Sequence, residues 1–159
     1  ISSPNTKGLR ELSNHEFLDE LLKHLKLKQE ELSASYSYKP IFIKVSPDES
    51  LDNLKIICNS ILSNKLDGII CSNTLAIHKS IEGYGGVSGT PLKDKSTANL
   101  INVRKFVGEE LPIIASGGVM SVGDYKDKIA AGANHVQIYT GFIFEGPKLI
   151  KDILKLKSP

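Results

Sequence analysis

Short apolar runs alternate along the chain with longer segments of helical period, and this alternation restricts the fold more than any other feature. The apolar runs are rich in β-branched residues, and their lengths are typical of strands that are buried on both faces. Strands that alternate with helices indicate βαβ units on a parallel sheet. The four predicted strands are Pro40–Val45, Gly68–Cys71, Pro112–Ala115 and His135–Tyr139.

The segments around these strands repeat apolar residues every three or four positions, which is typical of amphipathic helices. Gly132 is expected to end one helix, and Pro147 to begin the last. The segment from Leu75 to Lys95 shows no periodicity and is predicted to be a long loop, and loops of that length are commonly functional. The predicted helices cover Phe17–Leu25, Leu51–Ile61, Leu100–Val107, Asp124–Ala131 and Pro147–Leu156.

The composition is that of an ordinary soluble globular protein, with 159 residues, 40% of them hydrophobic, and a net charge of +2. No apolar run approaches the roughly 18–20 residues of a membrane span. The balanced charge argues against a nucleic-acid partner. The start at Ile1 has neither an initiator Met nor a signal peptide. Cys58 and Cys71 lack metal-ligand spacing, so we expect reduced, structural thiols in a reducing compartment.

Polar and small residues follow each predicted strand, while the bodies of the strands are apolar. Ligands of parallel α/β folds bind at the carboxyl ends of the strands, so these residues predict one ligand site. The four histidines do not cluster, and no metal site is expected. The segments at the strand ends are Ser2–Thr6, Lys44–Asp48, Cys71–Thr74, Ala115–Val119 and Tyr139–Gly141.

Several of these residues allow two interpretations from the sequence alone. Gly117-Gly118 is either a tight turn or backbone that binds a phosphate. The Gly85–Gly89 segment is either a flexible crossover or a second part of the same anion site. Lys44 either extends its ammonium to water or faces an anion or an electron-rich ring in the site. Asn73 and Thr74 suit a small polar substrate, but they also suit a turn or a helix cap. Ser3 and Asn5 by themselves could be an N-cap pair.

The strand-end motifs together resemble those of the class 2, quinone-linked dihydroorotate dehydrogenases. The resemblance extends over essentially the whole chain, in the order of the family and at roughly its spacing. The matching stretches are Ile-Ser-Ser-Pro-Asn-Thr-Lys-Gly-Leu-Arg at 1–10, Ile-Lys-Val-Ser-Pro-Asp at 43–48, Asp-Gly-Ile-Ile-Cys-Ser-Asn-Thr at 67–74, Gly-Gly-Val-Ser-Gly at 85–89, Ile-Ala-Ser-Gly-Gly-Val at 114–119 and the segment 131–147.

This resemblance implies an FMN enzyme that oxidises dihydroorotate to orotate in pyrimidine synthesis and passes the electrons to a membrane quinone. Ser3 would be the base that removes the proton at C5 while hydride leaves C6, and class 1 enzymes have cysteine there. A serine base requires a closed site, for which 4–12 is the candidate lid. Asn5, Asn73 and Thr74 would bind the substrate.

The same resemblance implies the residues that bind FMN. Lys44 would lie beside the N1/O2 edge of the flavin, where charge develops on reduction. Ser72 would also contact the flavin ring. The phosphate and its tail would contact Ser88, Gly89, Gly117, Gly118, Tyr139 and Thr140.

The number of βα units indicates a partial domain. Four units and a strand stub are present, whereas a closed (β/α)₈ barrel typically takes about 250 residues. We therefore expect 1–159 to be the C-terminal half of a TIM barrel, from the end of strand 4 through strand 8 and its helix. The N-terminal half-barrel and the membrane-binding helices that admit quinone would be absent. Such a half would have two open sheet edges and an uncovered apolar face.

Two other functions remain open at this point. A different phosphate- or flavin-binding TIM-barrel enzyme, such as a sugar-phosphate isomerase, would need acidic residues where this chain has Ser, Asn, Thr and Lys. The chain by itself could also be an inactive fragment or an assembly partner. The resemblance places the full-length enzyme peripherally on the cytoplasmic face of the bacterial inner membrane, with the mitochondrial inner membrane as the alternative.

Overall fold

The computed structural model describes residues 1–2, 15–80 and 83–156. Its centre is a four-stranded parallel sheet with the strand order β1-β2-β5-β6. Each predicted strand is present, with ends that differ by at most two residues from those predicted. The strands are β1 (Phe42–Val45), β2 (Gly68–Cys71), β5 (Ile113–Ser116) and β6 (His135–Gln137).

The predicted helices are also present, and two differences from prediction occur near the glycine-rich segments. The third helix begins at Lys93 rather than Leu100 and directly follows a 3₁₀ turn at Thr90–Leu92. The prediction missed its first turns because they are polar and show no apolar period. A short helix after β6 was not predicted. The helices are α1 (His15–Ser33), α2 (Leu51–Ser63), α3 (Lys93–Val107), α4 (Val122–Ala130), α5 (Thr140–Glu145) and α6 (Pro147–Lys155).

The prediction of a long loop after Leu75 is wrong over most of its length. Two antiparallel strands, β3 (Leu75–Ser80) and β4 (Gly83–Val87), form a hairpin there, with Leu75 opposite Val87 at its base. The glycines of β4 hide the alternation of side chains that marks a strand. Gly86 is required by close packing, because a Cβ atom there would lie 2.1 Å from Thr74 Oγ1.

The main core lies between one face of the sheet and helices α1, α2 and α3. Alternate residues of β1 and β5, such as Val45 and Ile113, are buried against these helices. A second, smaller cluster packs α4 and α6 together around Tyr125 and Leu149. Helices on one side of a parallel sheet are the arrangement expected for part of an α/β barrel.

The opposite face of the sheet is not covered by any helix in the described part of the chain. Lys44, Ile70 and Ile114 lie in register across this face and are only half-buried. The apolar strands suit burial on both faces, but among the described residues only one face is covered, as expected for half of a barrel. No other strand of the described ranges pairs with the outer edge of β1 or of β6, which agrees with the expected open edges. Within the ranges described, no helix is long and apolar enough to cross a membrane.

Candidate functional site

The carboxyl ends of the four parallel strands and the base of the hairpin surround a cleft of about 600 Å³. Every predicted site residue that the structure describes lines this cleft, although what each one binds stays a prediction. Because β1 and β2 adjoin at one side of the sheet and β5 and β6 at the other, the cleft has two ends. The lysine end comprises Lys44, Ser72, Asn73 and Thr74, and the glycine end comprises Ser88, Gly89, Gly117, Gly118, Tyr139, Thr140 and Gly141.

At the glycine end, Gly117 and Gly118 form a turn that no other residue would fit without strain. Their φ angles are +106° and +76°, in the region that disfavours side chains. A Cβ atom on Gly118 would lie 2.3 Å from the Cα atom of Lys93, in the first turn of α3. The turn therefore brings bare backbone against the start of α3.

Backbone N–H groups at this end are available to a ligand. Those of Gly117, Gly118, Thr140 and Gly141 form no hydrogen bond with a described residue. Buried backbone donors are rarely left without a partner, so unused N–H groups in a cleft indicate a site for an acceptor. Several N–H groups within one concave surface suit an anion such as phosphate.

Hydroxyl groups connect the hairpin to the start of α5 at the same end. Thr140 Oγ1 donates a hydrogen bond of 2.9 Å to Ser88 Oγ. Gly89 has a φ of +68°, and a Cβ atom there would lie 3.0 Å from Thr140 Cγ2. Tyr139 lines the cleft with 81% of its surface exposed.

At the lysine end, the side chain of Lys44 projects from β1 on the uncovered face of the sheet. It is half-buried and forms no hydrogen bond or ion pair with a described residue. An ammonium that is partly removed from water without a partner is electrostatically costly, and a ligand that places negative charge beside it would offset that cost.

Backbone hydrogen bonds hold the loop after β2 across the neighbouring strand ends. Ser72 N donates to Ser116 O at 3.0 Å, and Asn73 N donates to Val45 O at 2.9 Å. Ser72 is only 1% exposed, and its hydroxyl donates to the carbonyl oxygen of Asn73. The loop therefore has a fixed position relative to β1 and β5.

The side-chain amide of Asn73 is engaged by residues of the chain itself. Its Nδ2 donates to the carbonyl oxygen and to the hydroxyl of Ser2, at 3.0 and 3.1 Å. Its Oδ1 accepts a bond of 2.8 Å from Thr74 N, which is a local turn interaction. Ser2 is thereby fixed at the lysine end of the cleft, with only 6% of its surface exposed.

The predicted base Ser3, the predicted substrate ligand Asn5 and the predicted lid 4–12 lie outside the described residues. Their predicted roles therefore stay predictions. Both cysteines are free and buried, as expected. Burial raises the pKa of the Cys58 and Cys71 thiols to about 12, so both stay protonated at neutral pH.

Sequence reasoning missed a buried lysine behind the glycine end. Lys128 of α4 is 1% exposed, and its Nζ donates to Ser96 Oγ at 2.6 Å and to Thr97 Oγ1 at 2.7 Å. Burial lowers the pKa of its ammonium to about 8. The available signal was its position three residues after Tyr125, on the buried face of α4.

Comparison with known protein families shows what this chain is similar to. The family model described as dihydroorotate dehydrogenase matches residues 1–157. A dihydroorotate dehydrogenase (quinone) of Vibrio cholerae is 47% identical over 98% of this chain and 48% of its own length. A protein of the same name from Shewanella denitrificans is 44% identical over 97% of the chain. The chain thus spans about half the length of the curated relatives it matches.

Solved structures give the same result. The crystal structure of DHODH from Eimeria tenella in complex with ferulenol superposes with a TM-score of 0.87 and 32% identity. It matches 97% of this chain, which corresponds to 47% of that protein. The ligand-free form of the Eimeria tenella protein superposes with a TM-score of 0.85 and 33% identity.

Proposed function

Because the chain belongs to the dihydroorotate dehydrogenase family, we propose that it forms the FMN- and substrate-binding part of an enzyme that oxidises dihydroorotate to orotate. The observation that supports this most directly is that one cleft brings together backbone N–H groups and a lysine that have no partner among the described residues. The names of the relatives favour a quinone as the final electron acceptor. The reaction would serve pyrimidine biosynthesis.

The residues present fit FMN. At the glycine end, the N–H groups of Gly117, Gly118, Thr140 and Gly141 would bind the phosphate, and the hydroxyls of Ser88 and Thr140 would contact its tail. Bound FMN would supply the hydride acceptor. Lys44 would hold positive charge beside the flavin ring, where it stabilises the negative charge of the reduced form.

Substrate binding is proposed at the lysine end. Asn73 and Thr74, which line the cleft there, offer an amide and a hydroxyl to dihydroorotate. Asn5, the last residue of the Ser-Ser-Pro-Asn motif, would also bind the substrate. These groups would hold C5 of the substrate within reach of the base.

Ser3 is proposed as the base that accepts the proton from C5. It directly follows Ser2, whose backbone is held by Asn73 and is buried at the lysine end. A hydroxyl is a weak base in water, so exclusion of water from the cleft would be necessary for this role. Segment 4–12 is the candidate for the lid that excludes it.

The experiment that tests this function uses the full-length enzyme. We expect it to purify with FMN, to lose its flavin colour on addition of dihydroorotate and to reduce a soluble quinone. Ser3→Ala should retain FMN and slow flavin reduction by about 10²–10⁴, the range of a positioned general base. Purification without flavin, or no bleaching by dihydroorotate, would overturn the function. Reduction at an unchanged rate in Ser3→Ala would exclude Ser3 as the base.

The cellular setting is proposed from the same relatives. Quinone-dependent bacterial enzymes imply contact with a membrane, and we propose peripheral attachment at the cytoplasmic face of the inner membrane. With one sheet face uncovered, the 159-residue chain alone is expected not to turn over dihydroorotate. Flavin titration and far-ultraviolet circular dichroism of this chain would show whether it folds and binds FMN by itself.

A further inference from the structure

Lys128 is a buried cation for which the described residues offer no anionic partner. The carboxylates nearest to it, Asp124 and Asp127, form ion pairs with Lys93 at 2.6 and 3.0 Å. The Cys71 thiol, which also faces Lys128, is protonated at neutral pH. Burial of an ammonium without a counter-ion is costly, so its presence here needs an explanation other than stability.

The hydrogen bonds of Lys128 lead towards the glycine end of the cleft. Its Nζ donates to the oxygen of Ser96, which is fully buried, and Ser96 Oγ lies 2.9 Å from the carbonyl oxygen of Gly117. A hydroxyl has one proton and accepts through its lone pairs. Because Lys128 donates to Ser96, the proton of Ser96 must go to an acceptor, and Gly117 O and Lys93 O are the two in reach.

A hydrogen bond to Gly117 O changes the neighbouring N–H group. The carbonyl of Gly117 and the N–H of Gly118 belong to the same peptide unit. Donation to the carbonyl polarises that unit and makes its N–H a stronger donor, as in any chain of hydrogen bonds. The N–H of Gly118 is one of the groups at the glycine end without a partner among the described residues.

We propose that Lys128 is a positioning residue for phosphate binding, which acts through Ser96 on the Gly117–Gly118 peptide and supplies positive charge behind the glycine end. The proposal rests on the proposed function, because it takes the phosphate of FMN as the anion. Lys128 does not touch the ligand. It orients Ser96, strengthens the N–H group of Gly118 as a donor and adds positive electrostatic potential at the glycine end. Bound phosphate would be the counter-ion that the described part of the chain does not provide.

The experiment compares the binding of FMN and of riboflavin, which lacks the phosphate, to the full-length apoenzyme by quenching of flavin fluorescence. Lys128→Met removes the charge and leaves Ser96 and Thr97 with the carbonyl oxygen of Lys93 as an acceptor. We expect Lys128→Met to weaken FMN binding about tenfold, the size of one charge-assisted hydrogen bond, and to leave riboflavin binding unchanged. The matched control is Lys126→Met, which removes an exposed lysine from the same helix and should change neither affinity.

A second variant keeps the test decisive if Lys128→Met does not fold. Ser96→Ala keeps the charge of Lys128 and removes the link to Gly117, so it should also weaken FMN binding selectively, by about threefold to tenfold. Equal loss of FMN and riboflavin affinity in these variants would indicate structural damage and would overturn the proposal. Unchanged FMN affinity in both variants would overturn it as well.

The pH dependence gives a readout that a structural role would not produce. The titratable and charged groups that face Lys128 are Cys71 of β2, Lys93 of α3, and Asp124 and Asp127 of α4 itself. As pH rises above about 8, Lys128 loses its proton, so the ratio of FMN affinities between the wild type and Lys128→Met should fall towards one. A ratio that stays constant through this range would overturn the role of the charge. If the wild type binds no FMN, the proposed function fails instead, which distinguishes the two failures.

Discussion

The two ends of the cleft are built from different parts of the chain. The glycine end is made of backbone: Gly117 and Gly118 adopt conformations that only glycine tolerates easily, and their N–H groups have no partner among the described residues. The lysine end is made of side chains, above all that of Lys44, whose ammonium has no partner within residues 1–2, 15–80 and 83–156. Under the proposed function the two ends would have different roles: backbone shape at the glycine end would determine whether FMN binds, and charge at the lysine end would determine how fast FMN is reduced.

The largest effect is expected where a side chain would enter the backbone of the glycine end. Gly118→Ala places a Cβ atom 2.3 Å from Lys93 Cα and combines this clash with a φ of +76°. We expect a loss of about 3–5 kcal/mol in the free energy of unfolding and no retained FMN. Chemical denaturation and the flavin absorbance of the purified full-length enzyme measure both.

Gly108→Ala is the matched control for that variant. Gly108 also has a positive φ, +63°, but a Cβ atom there would meet no atom within 4 Å. It should lose only about 1–2 kcal/mol and keep its flavin. Equal effects at the two positions would show that backbone conformation, and not contact with α3, determines the loss at Gly118.

The next effect tests the charge at the lysine end. Lys44→Gln removes the ammonium and keeps a polar side chain, so FMN should still bind within a few-fold of the wild type. The rate of flavin reduction should fall by about 10²–10³, as for the removal of one electrostatic donor to a developing charge. Stopped-flow bleaching by dihydroorotate measures the rate, with the exposed Lys55→Gln on α2 as control. A variant that lost FMN but reduced the remainder normally would reverse the proposed division.

A smaller effect concerns stability behind the glycine end. Burial lowers the pKa of Lys128 from 10.5 to about 8, so between these pH values the unfolded chain binds more protons there than the folded one. The contribution of Lys128 to the free energy of unfolding should therefore rise with pH through this window. Denaturation of the wild type and of Lys128→Met at several pH values isolates the effect, because the rise should be absent from the variant. An identical pH dependence in both proteins would contradict the lowered pKa.

The smallest effect is expected from a side-chain hydrogen bond at the glycine end. Thr140→Val removes the hydrogen bond to Ser88 but keeps the backbone N–H, and one neutral hydrogen bond contributes about 1 kcal/mol. FMN affinity should fall about fivefold, with flavin reduction unchanged. Thr90→Val, at an exposed position outside the cleft, is the control. A loss as large as that of Gly118→Ala would mean that side chains dominate at both ends.

The sheet and the position of the cleft could be predicted because both depend on local patterns. The strands contain short apolar runs, and the residues that follow them are polar or small where the cleft lies. The hairpin could not be predicted in this way, since Gly85 and Gly86 have no side chains to show which face is buried. Gly86 is required by its close contact with Thr74, and this contact is seen only in the folded structure.

The buried lysine escaped prediction for a related physical reason. Lys128 occupies a position that the helical period assigns to the core, where lysine is seldom found without a partner. Its hydrogen-bond acceptors, Ser96 and Thr97, belong to a helix about thirty residues earlier in the chain, as the separations of 32 and 31 residues show. Only the packing of α4 against α3 shows that two hydroxyl groups accept hydrogen bonds from the ammonium at this position.

The hairpin has a mechanical consequence for both ends of the cleft. Leu75 and Val87 pair at its base, so Thr74 and Ser88, which flank them, leave the same rigid stem on adjacent strands. Thr74 belongs to the lysine end, and Ser88 belongs to the glycine end through its bond to Thr140. Any displacement of the stem therefore moves a wall of both ends together. A ligand bound at one end would therefore also restrict the position of the wall at the other end.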